Sequence, residues 1–326
     1  MSEQSTSGPH VQTVTGPIAP NELGFVLPHE HIGLDSSGHE PEHSPHDHPW
    51  EWWDVFNDED VLESELEAFA RLGGSSVVDL TNLGLGRDPL RLRRMAERTG
   101  LHIVMGCGWY RGSINTPESF LDRRTVKSLV DQLAAEIADG VDDTGMKPGI
   151  IGEIGTDGGW LSAEEERVFR AVARTANATG LAISTHAAQS RVGLDQVAIL
   201  VEEGVPPSRI VVGHVDSCPY LDYHLALLDQ GVTIEYDQLG LRFGAVDEAI
   251  EPRIVDLLVQ LIERGYGEQI LLSQAVAMAM QLRAFGGNGY TYLQESFIPR
   301  LMERGVGADV IEEITIRNPR RLLTIG

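Results

Sequence analysis

Cysteine is nearly absent from this chain. Cys107 and Cys218 are the only two in 326 residues. Two thiols cannot build a disulfide framework, so the sequence fits a reducing compartment, and a cytoplasmic location is expected. Long apolar runs are missing too. Nothing approaches the roughly 18 consecutive apolar residues of a membrane-spanning helix. The opening stretch MSEQSTSGPH lacks the apolar centre of a secretory signal. Basic residues are in short supply: 25 Lys and Arg stand against 49 Asp and Glu, a net charge of −24. Such a surface repels nucleic acid and anionic membranes, so the expected partner is a small-molecule substrate, with no nucleic acid and no membrane. Phosphate-cradling loops are absent as well. Neither G-x-G-x-x-G nor G-x-x-x-x-G-K-[ST] occurs, GLGRDP at 84–89 breaks the dinucleotide pattern, and there is no G-x-S-x-G elbow.

What the chain has is enough apolar residue for a large core, 42%, with 23% charged. Residues 1–10 read as a disordered tail. VQTVTGPIAPNELG then alternates and turns, as a short N-terminal hairpin lead-in would. Apolar, β-rich runs follow at 25–31, 75–81, 102–109, 148–155, 181–188, 209–216, 232–239 and 269–274. Between them lie helical patterns such as TVKSLVDQLAAEIADG and AEEERVFRAVARTANATG, ending in the glycine that commonly follows a helix. Strands apolar on both faces, alternating with helices, indicate a parallel sheet. Eight such units in one chain of this length predict an α/β fold, a (β/α)8 TIM barrel forming a single domain over residues 11–326. The rival, a doubly wound open sheet, usually carries an early Gly-rich loop that is lacking here.

Catalytic groups of such barrels sit at the C-terminal ends of the strands. The first predicted strand ends in FVLPHEH, and on a strand residues two apart face the same way. His29 and His31 therefore converge, while Glu30 faces away. The fourth strand ends with Glu153, the fifth with His186 and the sixth with His214. Four imidazoles and a carboxylate at one end of one barrel form a ligand set for one or two divalent transition metals.

With these motifs in place, the chain resembles the phosphotriesterase family of the amidohydrolase superfamily, in particular the phosphotriesterase homology proteins. The resemblance runs from about residue 11 to the C-terminus. It is carried by TVTGPIAPNELGFVLPHEH, GIIGEIGT, ISTHAAQS, RIVVGHVDS, LLSQ, GGNGYTYL and NPRRLL. It implies a binuclear centre, usually zinc with manganese or cobalt as alternatives, that holds a bridging hydroxide. By that likeness His29 and His31 bind the more buried metal, His186 and His214 the more exposed one, and Glu153 bridges where many members use a carboxylated lysine. Lys147 cannot take that place: six residues of strand separate it from Glu153, about 20 Å. The reaction implied is metal-assisted hydrolysis of a carboxylic ester, lactone, amide or phosphotriester.

Tyr110, after the third strand, falls where lactonase-like relatives place a pocket tyrosine, so it is expected to touch substrate or hydroxide, or else to form an aromatic lid over the core. Asp237 and Arg242, around the end of the seventh strand, are substrate-pocket candidates, or else a surface ion pair. Cys107 is expected to be buried as a small hydrophobe. The long connection after the first strand carries His39, His43, His46 and His48 in a Pro-rich, acidic setting that suggests a solvated loop. Trp50, Trp52 and Trp53 in it need cover, either over the substrate pocket or in a subunit interface, and a homodimer is expected. At the eighth strand, relatives carry a catalytic aspartate that binds the buried metal and accepts the proton of the attacking water. Here the text is Ser273-Gln274-Ala275, with no aspartate between Asp256 and Asp309. Impaired turnover is expected, and the alternative is a non-catalytic or inactivated metal-binding barrel that retains ligand binding.

Overall fold

A computed structural model describes residues 8–35, 56–113, 121–241 and 249–326. Trp53, Arg242, the four loop histidines, Trp50 and Trp52 lie outside the described residues. Among the described residues no helix is long and apolar enough to cross a membrane.

Two short strands, β1 (Val11–Thr13) and β2 (Gly16–Ile18), pair antiparallel as the lead-in hairpin. His10 exchanges backbone hydrogen bonds with Ile325. Eight parallel strands follow: β3 (Phe25–Glu30), β4 (Gly74–Asp79), β5 (His102–Cys107), β6 (Ile150–Gly155), β7 (Ile183–His186), β8 (Ile210–Gly213), β9 (Thr233–Tyr236) and β10 (Ile270–Leu272). Each pairs with the next in sequence, as in a TIM barrel, and the sheet curls until β10 meets β3. Seven of the eight predicted strand runs contain one of these strands, and the run at 75–81 overlaps β4, which begins one residue earlier at Gly74.

The intervening helices include α1 (Glu59–Arg71), α2 (Pro89–Thr99), α3 (Val126–Asp139), α4 (Ala163–Thr179), α5 (Gly193–Glu202), α6 (Leu221–Leu228) and α7 (Glu251–Glu263). Their ends follow local chemistry. Asp58 caps α1 through the amides of Asp60 and Val61, and Ser162 and Glu165 form a reciprocal capping box on α4. Gly100 and Gly180 end α2 and α4 in the left-handed conformation.

Two apolar layers result. Val26, Val78, Val104, Ile150, Val211 and Leu271, drawn from six strands, cluster with Val11 and Leu23. The lead-in thus stoppers the N-terminal end of the barrel. A larger cluster packs the helices on the outside of the sheet, and Cys107 is buried in it. The polar residues are left to the other end.

At the seam between β10 and β3 the join is made largely by side chains. Ser273 Oγ accepts from the His29 amide at 3.0 Å, and its proton faces the His29 carbonyl and Glu30 Oε1, each at 2.8 Å. Glu30 also accepts from the amides of Gln274 (2.9 Å) and Val276 (2.8 Å). The Ala275 amide donates to the His29 carbonyl at 3.1 Å.

Candidate metal centre

Glu153, at the end of β6, is the hub. His186 Nδ1 lies 2.9 Å from Glu153 Oε2, His214 Nε2 3.4 Å and His29 Nε2 3.5 Å from the same oxygen, while His31 Nε2 stands 3.7 Å from Oε1. All five side chains are buried. The five residues expected from the strand ends are thus brought together. They fall into two groups with ligand atoms close enough to share an ion, His29 with His31 and Glu153, and Glu153 with His186 and His214.

A third group joins His29 and His214 to Asp237. Asp237 was expected on the pocket wall or in a surface pair. It lies instead fully buried behind the histidines, with Oδ2 2.8 Å from His29 Nδ1 and Oδ1 2.6 Å from His214 Nδ1. It also accepts from the His214 amide. Gly213 makes room for it, since a Cβ there would stand 3.0 Å from Asp237 Oδ2 and 2.7 Å from the Thr185 carbonyl. His214 itself has φ +58°, a left-handed backbone uncommon for a residue with a side chain. Thr81 supports His31 through its hydroxyl, 3.0 Å from Nδ1. Glu235, two residues before Asp237 on the same face of β9, is buried with Oε2 3.7 Å from His29 Nδ1.

The electrostatics divide the imidazoles into two kinds. Burial alone would lower His29, but the Glu153 and Asp237 carboxylates hold it well above the usual imidazole range. His214 behaves alike: burial lowers it, Asp237 outweighs burial, and its pKa is pushed up to about 10. Burial takes His31 down to about 3 against the pull of Glu153, and burial with the neighbouring His214 takes His186 to about 4. Glu153 and Asp237 resist the upward push of burial and stay well below the carboxylate range because of the histidines around them. The two carboxylates and the His29 and His214 imidazoles thus favour one another's charged forms. His29 Nε2 is buried and finds no hydrogen-bond partner. An orphaned imidazole nitrogen aimed at a carboxylate, in an imidazole and carboxylate donor set, fits a divalent transition metal.

Tyr110 reaches the same place from the loop after β5. Its hydroxyl lies 3.1 Å from His186 Nδ1, and the ring stands edge-on to the imidazole at 4.9 Å. Ala275 follows β10, nearly buried, with φ +44°.

A model of the phosphotriesterase family matches residues 9–323. The chain belongs to the phosphotriesterase family. It is 34% identical over 277 residues to an N-acetyltaurine hydrolase from Dictyostelium discoideum, covering 82% of this chain and 74% of that one. The structure of the Escherichia coli phosphotriesterase homology protein, complexed with phosphate in its active site, is similar with a TM-score of 0.84 and 31% identity, covering 93% of this chain and 99% of that one. A lactonase from Listeria monocytogenes gives a TM-score of 0.87 at 25% identity, covering 97% and 99%. These relatives include hydrolases, and the buried His/Glu/Asp clusters of this chain are consistent with the binuclear metal site typical of the family.

Proposed function

We propose that the chain is a binuclear metal-dependent hydrolase acting on a carboxylic ester, lactone, amide or phosphotriester, with turnover impaired by Ala275. The observation that carries this is the convergence of His29, His31, His186 and His214 on Glu153. His29 and His31 would hold one divalent ion, His186 and His214 the other, and Glu153 would bridge them, with zinc the first choice and manganese or cobalt the alternatives. Divalent ions held there would supply acidification of a shared water and polarisation of the substrate's oxygen. The chain's own residues do the rest. Asp237 orients His29 and His214, Thr81 orients His31, and the Tyr110 hydroxyl, which meets His186, would hydrogen-bond substrate. Relatives named for N-acetyltaurine hydrolysis and lactone hydrolysis put amides and lactones first among the candidates. A cytoplasmic location and a homodimer are part of the same proposal.

A specific observation favours a second reading, a barrel that binds metal and ligand without turnover. No carboxylate or other proton acceptor stands at position 275. Yet the backbone there is left-handed, a region that Asp and Asn enter more readily than Ala. An aspartate would suit the main chain as it stands. The test compares the protein with its Ala275→Asp variant, metal contents matched, across esters, lactones, N-acyl amides and phosphotriesters. Hydrolysis is expected to rise by at least ~10²-fold in kcat with a smaller change in KM. If the unaltered chain is already fast and Asp adds nothing on the same substrate, the role assigned to position 275 is wrong. If neither turns over any substrate while metal is bound, the second reading stands.

A further inference from the structure

Arg111 stands beside the metal centre and has no part in it. The Gly155 amide donates to the Tyr110 carbonyl at 2.7 Å, pinning the Tyr110-Arg111 segment to the catalytic end of β6. A Cβ built on Gly155 would meet Arg111 Cβ at 3.2 Å, the Tyr110 carbonyl at 3.2 Å and His186 Cβ at 3.4 Å. Glycine is what lets the segment come so close, and the two contacts keep Arg111 Cβ and His186 Cβ within about 6.6 Å of one another. The two side chains therefore leave the main chain as neighbours. Arg111 Cζ lies 5.1 Å from the centroid of the Tyr110 ring, which is itself 4.9 Å from that of His186, so the guanidinium is at most about 10 Å from the imidazole.

This guanidinium has no hydrogen-bonded acceptor among the described residues. Its nearest carboxylate is Asp157, with Oδ1 3.8 Å from Nε, beyond hydrogen-bond reach. Asp157 instead takes the Ser113 amide on Oδ2 at 2.8 Å and the Ser113 hydroxyl on Oδ1. Arg111 Nε is buried without a partner, while 34% of the side chain remains open to solvent. The setting is otherwise acidic: Asp157 and Glu164 both approach Gly112, and the chain carries 49 acids against 25 bases. An anionic substrate would be repelled by such a surface except where a cation whose hydrogen-bond donors are not taken up, here one paired only at 3.8 Å with Asp157, lies within a Debye length, about 8–10 Å.

Resting on the hydrolase reading of the centre, we propose that Arg111 anchors an oxyanion on the substrate, a carboxylate, sulfonate or phosphate-type group a few bonds from the group to be cleaved. The planar fork of arginine accepts two oxygens at once, and the Tyr110 ring beneath it limits the positions it can take. Substrates of this class would carry a charged tail toward Arg111 and a scissile carbonyl or phosphoryl toward Glu153. Arg111 is thus a specificity-determining residue.

The test uses the metal-loaded full chain and two probes that differ only in charge, N-acetyl-β-alanine and its primary amide, titrated calorimetrically. The acid is expected to bind about tenfold or more tightly than the amide. Arg111→Met keeps an apolar stem over Tyr110 and should erase the difference, with metal content, melting temperature and affinity for the amide unchanged. Arg111→Lys should retain part of it. Equal binding of the two probes overturns the proposal, as does a preference for the acid that survives Arg111→Met, or no binding of either probe. Turnover by the Ala275→Asp chain separates this from the hydrolase reading. If that chain cleaves neutral and anionic amides equally, and Arg111→Met leaves both rates alone, the anchor is wrong and the hydrolase stands. If the charge preference is present and lost with Arg111 while nothing is hydrolysed, the hydrolase is wrong and the anchor stands.

Discussion

Asp237 gives one carboxylate oxygen to His29 and the other to His214, two residues drawn from different strands and different halves of the centre. Both imidazoles are held through Nδ1, which turns Nε2 of each toward Glu153. One buried side chain thus orients a ligand in each half. Asp237→Ala should lower the affinity for both ions together, by about 10- to 100-fold. Elemental analysis after dialysis against graded chelator would read this, and loss of one ion with the other intact would show that Asp237 serves only one half.

Glu153 and His214 should differ in the same measurement. Glu153 faces all four histidines, so Glu153→Ala is expected to empty the centre. His214→Ala leaves the His29, His31 and Glu153 group whole and should leave close to one ion per chain. Metal-free protein after incubation with zinc or manganese would remove the basis for the whole assignment.

Glu30 offers a test of the seam. Its buried carboxylate accepts from Ser273 Oγ and from two amides that follow β10. Glu30→Ala leaves the two amides without an acceptor, while Ser273 keeps the His29 carbonyl, at a cost of about 1–3 kcal/mol for each amide that stays buried and unpaired. A drop in melting temperature of several degrees is expected in the metal-free protein. An unchanged melting temperature would mean that water or a neighbouring group replaces the carboxylate.

Far from the centre, Glu203 ties α4 to the end of α5 through Arg170 and Arg174. The two guanidiniums hold its carboxyl down at about 2, below the ordinary value of 4.5. A depressed carboxylate contributes stability above its unfolded pKa and loses it as pH falls through the folded one. Glu203→Gln should therefore destabilise the protein slightly at pH 7, by roughly 0–1 kcal/mol because the ion pairs lie at the protein surface. The gap between variant and parent should close as pH falls from about 4.5 toward 2. Thermal melts over that range would settle it, and a gap that stays constant would show that the effect is one of packing.

How much of this was legible beforehand varies with the kind of feature. Strands announce themselves as apolar runs because both faces are buried, and His29, His31, Glu153, His186 and His214 stood out because each ends such a run. Asp237 was visible as a strand-end residue, and its spacing from Glu235 repeats that of His29 and His31. What its oxygens touch was not visible, because His29 and His214 reach it only when the sheet curls round. Thr81 was hidden for the same reason: its partner His31 lies fifty residues away. That position 275 is an alanine was plain from the letters alone. Its left-handed backbone was not, since alanine is not a residue that signals one.

The seam between β3 and β10 has a consequence for how the barrel comes apart. Elsewhere around the ring, neighbouring strands are joined by backbone ladders, whereas this join depends on Ser273, Glu30 and a few amides. A ring under thermal agitation parts first at its clasp. The amide protons of Gln274, Ala275 and Val276 should accordingly exchange with deuterium sooner than those within β4 or β7. The clasp closes on His29, so each brief parting there also loosens one side of the centre.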